Sequence, residues 1–162
     1  MANQELTFGE EDFIVSKTDL NGKITYGNAL FIQISGYSER ELIDQPHNIL
    51  RHPDMPAVVF KLLWSRIKEG KEVFAYVKNK TKSGDYYWVF AHVTPSFDTN
   101  HKITNYHSVR RKPSQKVLEM IKQLYASLLQ KERSGGINAS ETALNQLLKD
   151  KGMSYDEFIL SL

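Results

Sequence analysis

The pattern of hydrophobic and polar positions along the chain predicts five β-strands separated by turns and short helices. β-Branched and aromatic residues are concentrated in five stretches that turn-forming residues separate. These stretches are residues 13–17, 23–27, 71–80, 85–95 and 103–110. Asn21-Gly22 lies between the first two and supplies the positive φ values of a tight hairpin turn. Connections of the same composition join the last three, which predicts that all five strands pair in one antiparallel sheet.

Three short helices are predicted between the second and third strands. Asn28 can cap a helix over residues 29–35, and Ser38 with Glu41 forms the capping-box pattern of a second one. A third helix is predicted over residues 56–69, because its apolar residues recur at helical spacing. That stripe consists of Val59, Phe60, Leu62, Leu63, Trp64 and Ile67. The order β-β-α-α-α-β-β-β predicts an α+β domain with the helices on one face of the sheet.

The chain outside this domain carries further helices. The predicted organisation is a polar N-terminal segment at 1–11, the sheet domain at 12–112, an amphipathic helix at 113–133, a flexible linker at 134–139 and a helical tail at 140–162. The linker is predicted from Gly135-Gly136. The tail helices have apolar faces, which the domain, a second copy of the chain or another protein must cover. Because the tail carries no other motif, we expect it to mediate association.

Composition excludes several kinds of chemistry. The 162 residues include no cysteine, which excludes disulfides, zinc–thiolate sites, iron–sulfur clusters and a cysteine nucleophile. A formal net charge of +2 is too small to indicate a nucleic-acid partner. There is no run of about 18 apolar residues and no signal-peptide core, so a cytoplasmic protein without membrane insertion is expected. No paired carboxylates, nucleophile–base pair or phosphate-binding glycine loop occurs at usable spacing, so we expect no enzymatic activity.

The segment from Pro46 to Pro56 has the most unusual composition. Its eleven residues include two histidines and three prolines, together with an arginine, an aspartate and an asparagine. Proline fixes φ and removes amide donors, so this segment cannot be a regular helix throughout. A bound ligand with polar edges would hold it in one shape. Arg51 and His52 are its best ligand candidates, whereas Asp54 is expected to cap the helix that starts near Pro56.

Two stretches of the sequence resemble a known family. DLNGKITYGNALFIQISGYSERELIDQPHNILRHPDMP resembles a PAS sensory domain, and KNKTKSGDYYWVFAHVTP resembles the paired strands that complete the same fold. The string RHPDMP is the more specific part, and it resembles the flavin-binding PAS domains of bacterial aerotaxis and energy-taxis receptors. The resemblance covers about residues 12–112. It implies a PAS fold that holds FAD non-covalently and acts as a redox sensor rather than an enzyme.

The resemblance also implies partners and a location. Receptors of this family normally continue into a membrane anchor and a chemotaxis signalling domain, and this sequence ends at Leu162 with neither. We therefore expect the stand-alone PAS component of a two-protein energy-taxis system. Its partner would be a membrane-bound chemotaxis signalling protein in trans, and a homodimer is a second form of association. The protein would be cytoplasmic, and peripheral at the inner membrane through its partner.

The resemblance suggests roles for residues beyond the proline-rich segment. The Asn79 carboxamide offers a donor and an acceptor side by side, which matches the edge of a flavin ring. Phe60 and Trp64 either line a flat cofactor or pack in the core. Alternation along the strand requires one of Tyr87 and Trp88 to face the pocket. The candidate cofactor-binding residues are Asn28, Arg51, His52, Asp54, Phe60, Trp64, Asn79 and Tyr87. Among these, Asn28 and Asp54 are favoured as structural.

Two other interpretations stay open at this point. A haem-binding PAS oxygen or gas sensor would use His47 or His52 as an axial ligand. A cofactor-free PAS interaction module would place nothing in the pocket. No metal site is predicted, because no two histidines share a helical spacing with a carboxylate partner. The basic residues of the late strands, Arg110 among them, are predicted to form a solvated sheet face.

Overall fold

A five-stranded antiparallel sheet forms the centre of the computed structural model, which describes residues 3–162. Its strands are β1 (Ile14–Thr18), β2 (Ile24–Gly27), β3 (Val73–Lys80), β4 (Tyr86–Phe97) and β5 (Ile103–Arg111). Their order across the sheet is β2-β1-β5-β4-β3. The predicted α+β architecture is confirmed, and β1 and β5 become neighbours although about 85 residues separate them in sequence.

Among residues 3–162, five α-helices and one short 3₁₀ turn accompany this sheet, and the first two helices begin at the predicted caps. They are α1 (Ala29–Ser35), α2 (Glu39–Leu42), α3 (Ala57–Lys68), α4 (Gln115–Lys151) and α5 (Tyr155–Ser161), with a short 3₁₀ turn at His47–Leu50. The Asn28 side chain accepts from the amide of Phe31 at the start of α1. Ser38 and Glu41 form the predicted capping box of α2. Local polar side chains thus define where these short helices begin.

The N-terminal segment pairs with the sheet rather than standing apart from it. Residues 1 and 2 lie outside the described residues. Glu5 forms a parallel bridge with Tyr86, and the Leu6 amide donates to the Tyr86 carbonyl at 2.7 Å. Phe8 is buried in the core. The prediction of a simple polar segment was therefore incomplete, because the apolar side chains of Leu6 and Phe8 in this segment pack against the core.

The flexible linker predicted at 134–139 was wrong. Helical geometry continues through these residues, and Gly136 alone departs from it, with φ 76° and ψ −175°. Helix α4 therefore consists of two parts that meet at a break at Gly136. Because Leu128 before the break and Leu144 after it both pack into the same core, the two parts are held rather than free. The missing Cβ of Gly136 permits the positive φ that the break requires.

The helices that follow the sheet cover the outer edge of β3. The Tyr125 hydroxyl of α4 donates to the Tyr76 carbonyl, and the Tyr155 hydroxyl of α5 donates to the Phe74 carbonyl at 3.0 Å. An edge strand with free carbonyls would otherwise be open to pairing with another chain. The two tyrosines therefore fix the C-terminal helices to the sheet and close its edge.

The apolar faces of α4 and α5 are covered by the chain's own core. Their buried residues are Leu118, Ile121, Tyr125, Leu128, Leu144, Tyr155, Phe158 and Ile159. Of the three ways to cover these faces, the structure uses the domain itself. An uncovered apolar tail is therefore no longer a reason to expect association. No helix among residues 3–162 combines the length and apolarity needed to cross a bilayer.

Tyr125→Phe is expected to lower the free energy of unfolding by about 1–3 kcal/mol, because it leaves the Tyr76 carbonyl without its partner in a buried place. Urea denaturation followed by circular dichroism measures the change. Tyr26→Phe is the matched control, since Tyr26 is 46% exposed and its loss of a hydroxyl should cost nearly nothing. Equal unfolding free energies for the two variants would contradict the assigned role of Tyr125.

Candidate functional site

A cavity of about 360 Å³ lies between the sheet and helix α3. Strands β1, β3, β4 and β5 form one wall, while α3 and the segment from Pro46 to Arg51 form the other. Alternation along the strands turns Val77, Asn79 and Ala91 towards it. The cavity volume is within the range of small-molecule pockets. Four of the predicted residues line it, namely Arg51, Phe60, Trp64 and Asn79.

Aromatic side chains of α3 form the apolar part of the wall. Trp64 packs edge-on against Tyr106 of β5, with ring centroids 5.7 Å apart. The guanidinium of Arg51 lies 4.8 Å from the centre of the Phe60 ring, which fixes this arginine at the wall. Gly22 in the β1–β2 turn approaches Trp64 closely, since a Cβ there would lie 2.9 Å from the indole. These contacts hold flat rings at defined positions along the cavity.

Asn79 of β3 presents a carboxamide on the opposite wall, which the sheet forms. Its side chain is 4% exposed, and its backbone bridges to Arg51. It lies beside the hydroxyl of Tyr87, the residue directly opposite on β4. That hydroxyl is buried without a well-formed hydrogen bond among residues 3–162, and burial raises the pKa of Tyr87 to about 12. The pair therefore places unused hydrogen-bonding capacity next to the cavity.

A buried arginine that sequence reasoning missed lies in the same cavity. Arg110 on β5 is 3% exposed, and its Nη2 donates to Ser16 Oγ at 2.6 Å. Its Nη1 donates to His47 Nε2 at 3.2 Å, and its guanidinium carbon lies 4.9 Å from the centre of the Phe31 ring. Burial lowers the pKa of Arg110 to about 10, so the group stays charged at neutral pH.

The predicted solvated face was therefore wrong for Arg110. Strand alternation places Arg110 on the cavity side and its neighbour Arg111 on the exposed side. A signal existed in the sequence, since Tyr106, Ser108 and Arg110 share one face of β5 by their period of two. All three line the cavity.

Neutral groups surround this buried charge. Burial, and secondarily the charge of Arg110, lower the pKa of His47 to about 3, so the imidazole is neutral. Because Arg110 can only donate, Nε2 of His47 acts as an acceptor. Within residues 3–162, the cavity is lined by Arg51, Lys61 and Arg110 and by no carboxylate. Such a cavity favours a ligand that carries acceptor or anionic groups.

The structure removes three predicted residues from the cavity wall. Asn28 accepts from the amides of Phe31 and Val15, which fixes it as the cap of α1. Asp54 pairs with Lys78 at 3.0 Å, and this hydrogen bond lowers the pKa of the Asp54 carboxyl. His52 packs edge-on against Tyr86 and accepts from the Asp54 amide at 3.0 Å. Asn28 thus fixes the start of α1, and His52 and Asp54 fix the shape of the segment from Pro46 to Pro56, rather than the cavity surface.

Register and packing decide where Tyr87, Trp88 and the cap of α3 lie. Tyr87 shares the cavity face of β4 with Ala91 but lies fully buried beyond the lining. Trp88 points the other way and packs near Tyr125 of α4. The expectation that Asp54 caps α3 was wrong, because Glu132 of α4 takes that role. Among residues 3–162 no group of three or more metal-ligating side chains comes together.

The sequence profile of the PAS fold matches residues 24–110. This chain belongs to the PAS family. The matched region contains β2, β3, β4, nearly all of β5 and helix α3, so it covers most of both cavity walls, and the part that β1 contributes lies outside it. The family prediction made from the sequence is thereby confirmed.

Relatives of this PAS protein include signalling proteins. The aerotaxis receptor of Escherichia coli (strain K12) is 38% identical over 128 residues, which are 79% of this chain and 25% of that receptor. The nitrogen fixation regulatory protein of Klebsiella pneumoniae is 25% identical over 60% of this chain and 20% of that protein. The chain therefore spans about a quarter or less of the length of these relatives. The similarity to an aerotaxis receptor agrees with the resemblance that the string RHPDMP indicated.

Solved structures share the fold. The dark structure of the blue-light photoreceptor Aureochrome1 LOV has a TM-score of 0.58 and 25% identity, covering 75% of this chain and 84% of that one. A light-oxygen-voltage domain studied with a flavin analogue also gives a TM-score of 0.58, at 20% identity over 75% of this chain and 85% of that one. The likeness to the second structure shows the fold alone.

Proposed function

We propose that this PAS domain binds FAD in the cavity and acts as a redox sensor that signals to a chemotaxis protein by contact. The observation that carries the proposal is the buried, uncompensated Arg110 in a cavity that also presents the Asn79 carboxamide. A lone buried cation is costly unless a ligand with acceptor atoms meets it. The similarity to the aerotaxis receptor supports the choice of a flavin.

The cavity residues divide into three roles in this proposal. Phe60 and Trp64 hold a flat ring system by contact with its faces and edges. Asn79 and Arg110 offer hydrogen bonds to polar ring atoms from the sheet. Arg51 offers a planar cation for the phosphate groups at the mouth of the cavity. Bound FAD would supply a group that takes up and releases electrons, which none of these side chains can do.

Signalling would begin with a change in the hydrogen bonds that Asn79 and Arg110 make. Strands β3 and β5 carry these residues, so the sheet and the helices packed on it are the parts that respond. A partner needs only to bind the two states of the domain with different affinity. We propose that this partner is a membrane-bound chemotaxis signalling protein and that the domain is cytoplasmic. A homodimer is the second candidate form of association.

An absorption spectrum of the purified protein tests the proposal directly. The two near-ultraviolet and blue bands of an oxidised flavin, lost on adding dithionite, are the expected result. Release by heat and chromatography of the freed cofactor then distinguishes FAD from FMN. A Soret band would replace the proposal with a haem sensor. A colourless protein that stays colourless after incubation with FAD would make it a cofactor-free interaction module.

Arg51→Ala and His52→Ala are expected to behave differently, because the cavity wall includes Arg51 and excludes His52. Arg51→Ala should weaken FAD binding by about tenfold to a hundredfold with little change in stability. His52→Ala should weaken FAD binding less and lower stability together with it, since His52 fixes the loop through the Asp54 amide. Fluorescence titration with FAD and thermal unfolding of the ligand-free proteins measure both quantities. An FAD affinity in Arg51→Ala equal to that of the wild type would show that the phosphate groups do not bind at Arg51.

A further inference from the structure

Helix α3 is capped by a side chain from a distant part of the chain. Pro56 precedes the helix and provides no side-chain cap. Glu132 of α4 supplies it instead: Oε1 accepts from the Ala57 amide at 2.8 Å, and Oε2 accepts from the Val58 amide at 3.0 Å. A carboxylate is favoured at this place because the first amides of a helix lack partners and carry partial positive charge.

The same carboxylate also holds the part of α4 beyond the break. Ser140 is fully buried, and its hydroxyl oxygen lies 2.7 Å from Glu132 Oε2 and 2.9 Å from the Ile137 carbonyl, so the nearer and charged acceptor is the carboxylate. The break at Gly136 allows this, because it turns the chain so that Ser140 returns to Glu132. Glu132 therefore joins three parts of the fold: the start of α3, the first part of α4 and the second part of α4.

Helix α3 connects this junction to the cavity. One side of the helix carries Phe60 and Trp64 into the cavity wall. From the same helix, Lys61 pairs with Glu141 at 2.8 Å and Arg66 pairs with Asp156 at 2.6 Å. The Lys61 pair is exposed and of the kind that adds little stability. Glu132 differs from it, because three donors, two of them backbone amides, converge on one carboxylate.

We propose that Glu132 is a positioning residue that couples helix α3 to residues 137–162, so that ligand binding in the cavity and docking of this C-terminal segment depend on each other. A ligand that shifts the start of α3 changes the geometry of the two amides that Glu132 accepts from. Loosening that contact also releases Ser140, and with it the segment after Gly136. Because the coupling is a free-energy difference, it acts equally in both directions. The identity of the ligand rests on the proposed function, whereas the junction itself does not.

Hydrogen exchange on the full chain tests the coupling, with Glu132→Gln as the variant and Glu141→Gln as the control. Glu141 also lies on α4 beside α3, but its partner is an exposed lysine. Glu132→Gln should speed exchange at Ala57, at Val58 and across residues 137–151 by about 2- to 30-fold, the range that follows from losing a helix cap. Glu141→Gln should change exchange by less than twofold. Adding FAD to the wild-type protein should change exchange in residues 137–151, and Glu132→Gln should remove that change.

Two other outcomes of the hydrogen-exchange experiment would overturn the coupling. Faster exchange at Ala57 and Val58 with unchanged residues 137–151 would leave Glu132 as a helix cap alone. If the wild-type protein binds FAD and the exchange rates of residues 137–151 stay the same, ligand binding in the cavity is not coupled to the C-terminal segment. If the protein binds no FAD, the proposed function fails, while the comparison of ligand-free variants still tests the junction. If Glu132→Gln does not fold, Ser140→Ala removes one of its three hydrogen bonds, and unchanged exchange across residues 137–151 in that variant overturns the proposal.

Discussion

Arg110→Met is expected to weaken FAD binding by about tenfold to a hundredfold. The ligand-free variant is expected to be as stable as the wild type or more stable. The first effect follows because a charge-assisted hydrogen bond to the ligand contributes about 1.5–3 kcal/mol. The second follows because Arg110 is a buried cation without a carboxylate, and methionine fills similar space without the cost of a buried charge. Ser16 and His47 keep the 3.0 Å hydrogen bond between them. The opposite signs of the two effects make this variant the most informative one.

Fluorescence titration with FAD and urea denaturation of the ligand-free protein measure the two effects of Arg110→Met. Arg111→Met is the matched control, since Arg111 is adjacent on β5, faces away from the cavity and lies 5.3 Å from the Phe13 ring. We expect it to bind FAD as the wild type does. Unchanged FAD affinity in Arg110→Met would remove Arg110 from the site. A ligand-free variant less stable by several kcal/mol would instead make Arg110 a structural residue.

Asn79→Ala is expected to weaken retention of the flavin and to shift its midpoint potential. The Asn79 side chain is buried in the cavity wall beside Tyr87, so the loss of its carboxamide removes a hydrogen bond that water cannot easily replace. Loss of one such bond corresponds to about 1–3 kcal/mol. If the carboxamide hydrogen-bonds more strongly to the oxidised flavin than to the reduced one, or the reverse, its loss shifts the midpoint potential by the difference between the two interaction free energies. Equilibrium dialysis and a redox titration with indicator dyes measure the two quantities.

The control for Asn79→Ala is Asn100→Ala. Asn100 lies in the exposed connection between β4 and β5, on a part of the chain that does not line the cavity. Its removal should leave cofactor content, potential and stability unchanged. The same behaviour in Asn79→Ala would place the flavin ring elsewhere in the cavity. A loss of stability without any change in affinity or potential would assign Asn79 to the support of the sheet.

Prediction from the sequence succeeded where the physical cause is local. The capping boxes and the Asn28 cap depend on side chains within three residues of the amides that they satisfy, so a short window contains the whole signal. Asn79 was singled out on a predicted strand, and helical period placed Phe60 and Trp64 together on α3. Those two elements meet in the structure to form the cavity. Four of the eight candidate residues therefore line it.

Prediction failed where a polar side chain could serve either a ligand or the fold. The ring of His52 is suited to a ligand, but it accepts from the Asp54 amide, and the Asp54 carboxylate pairs with Lys78 instead of capping α3. Arg110 belongs to a run of three basic residues, which favours a solvated surface when considered alone. The side chain is buried because its face of β5 is turned into the cavity beneath α3, whereas the opposite face, which carries Arg111, is exposed.

The sequence by itself determined the order of the strands, the caps of α1 and α2, the antiparallel sheet and the PAS family, because each of these depends on periodicity, on turn chemistry or on a contiguous motif. The tertiary structure alone decided the uncompensated charge of Arg110, the continuation of α4 through residues 134–139 and the role of Glu132. The Ala57 amide that Glu132 accepts from is 75 residues away in sequence. No local pattern marks such a pair, since its partners are brought together only when the C-terminal helices pack beside α3 and the edge of β3.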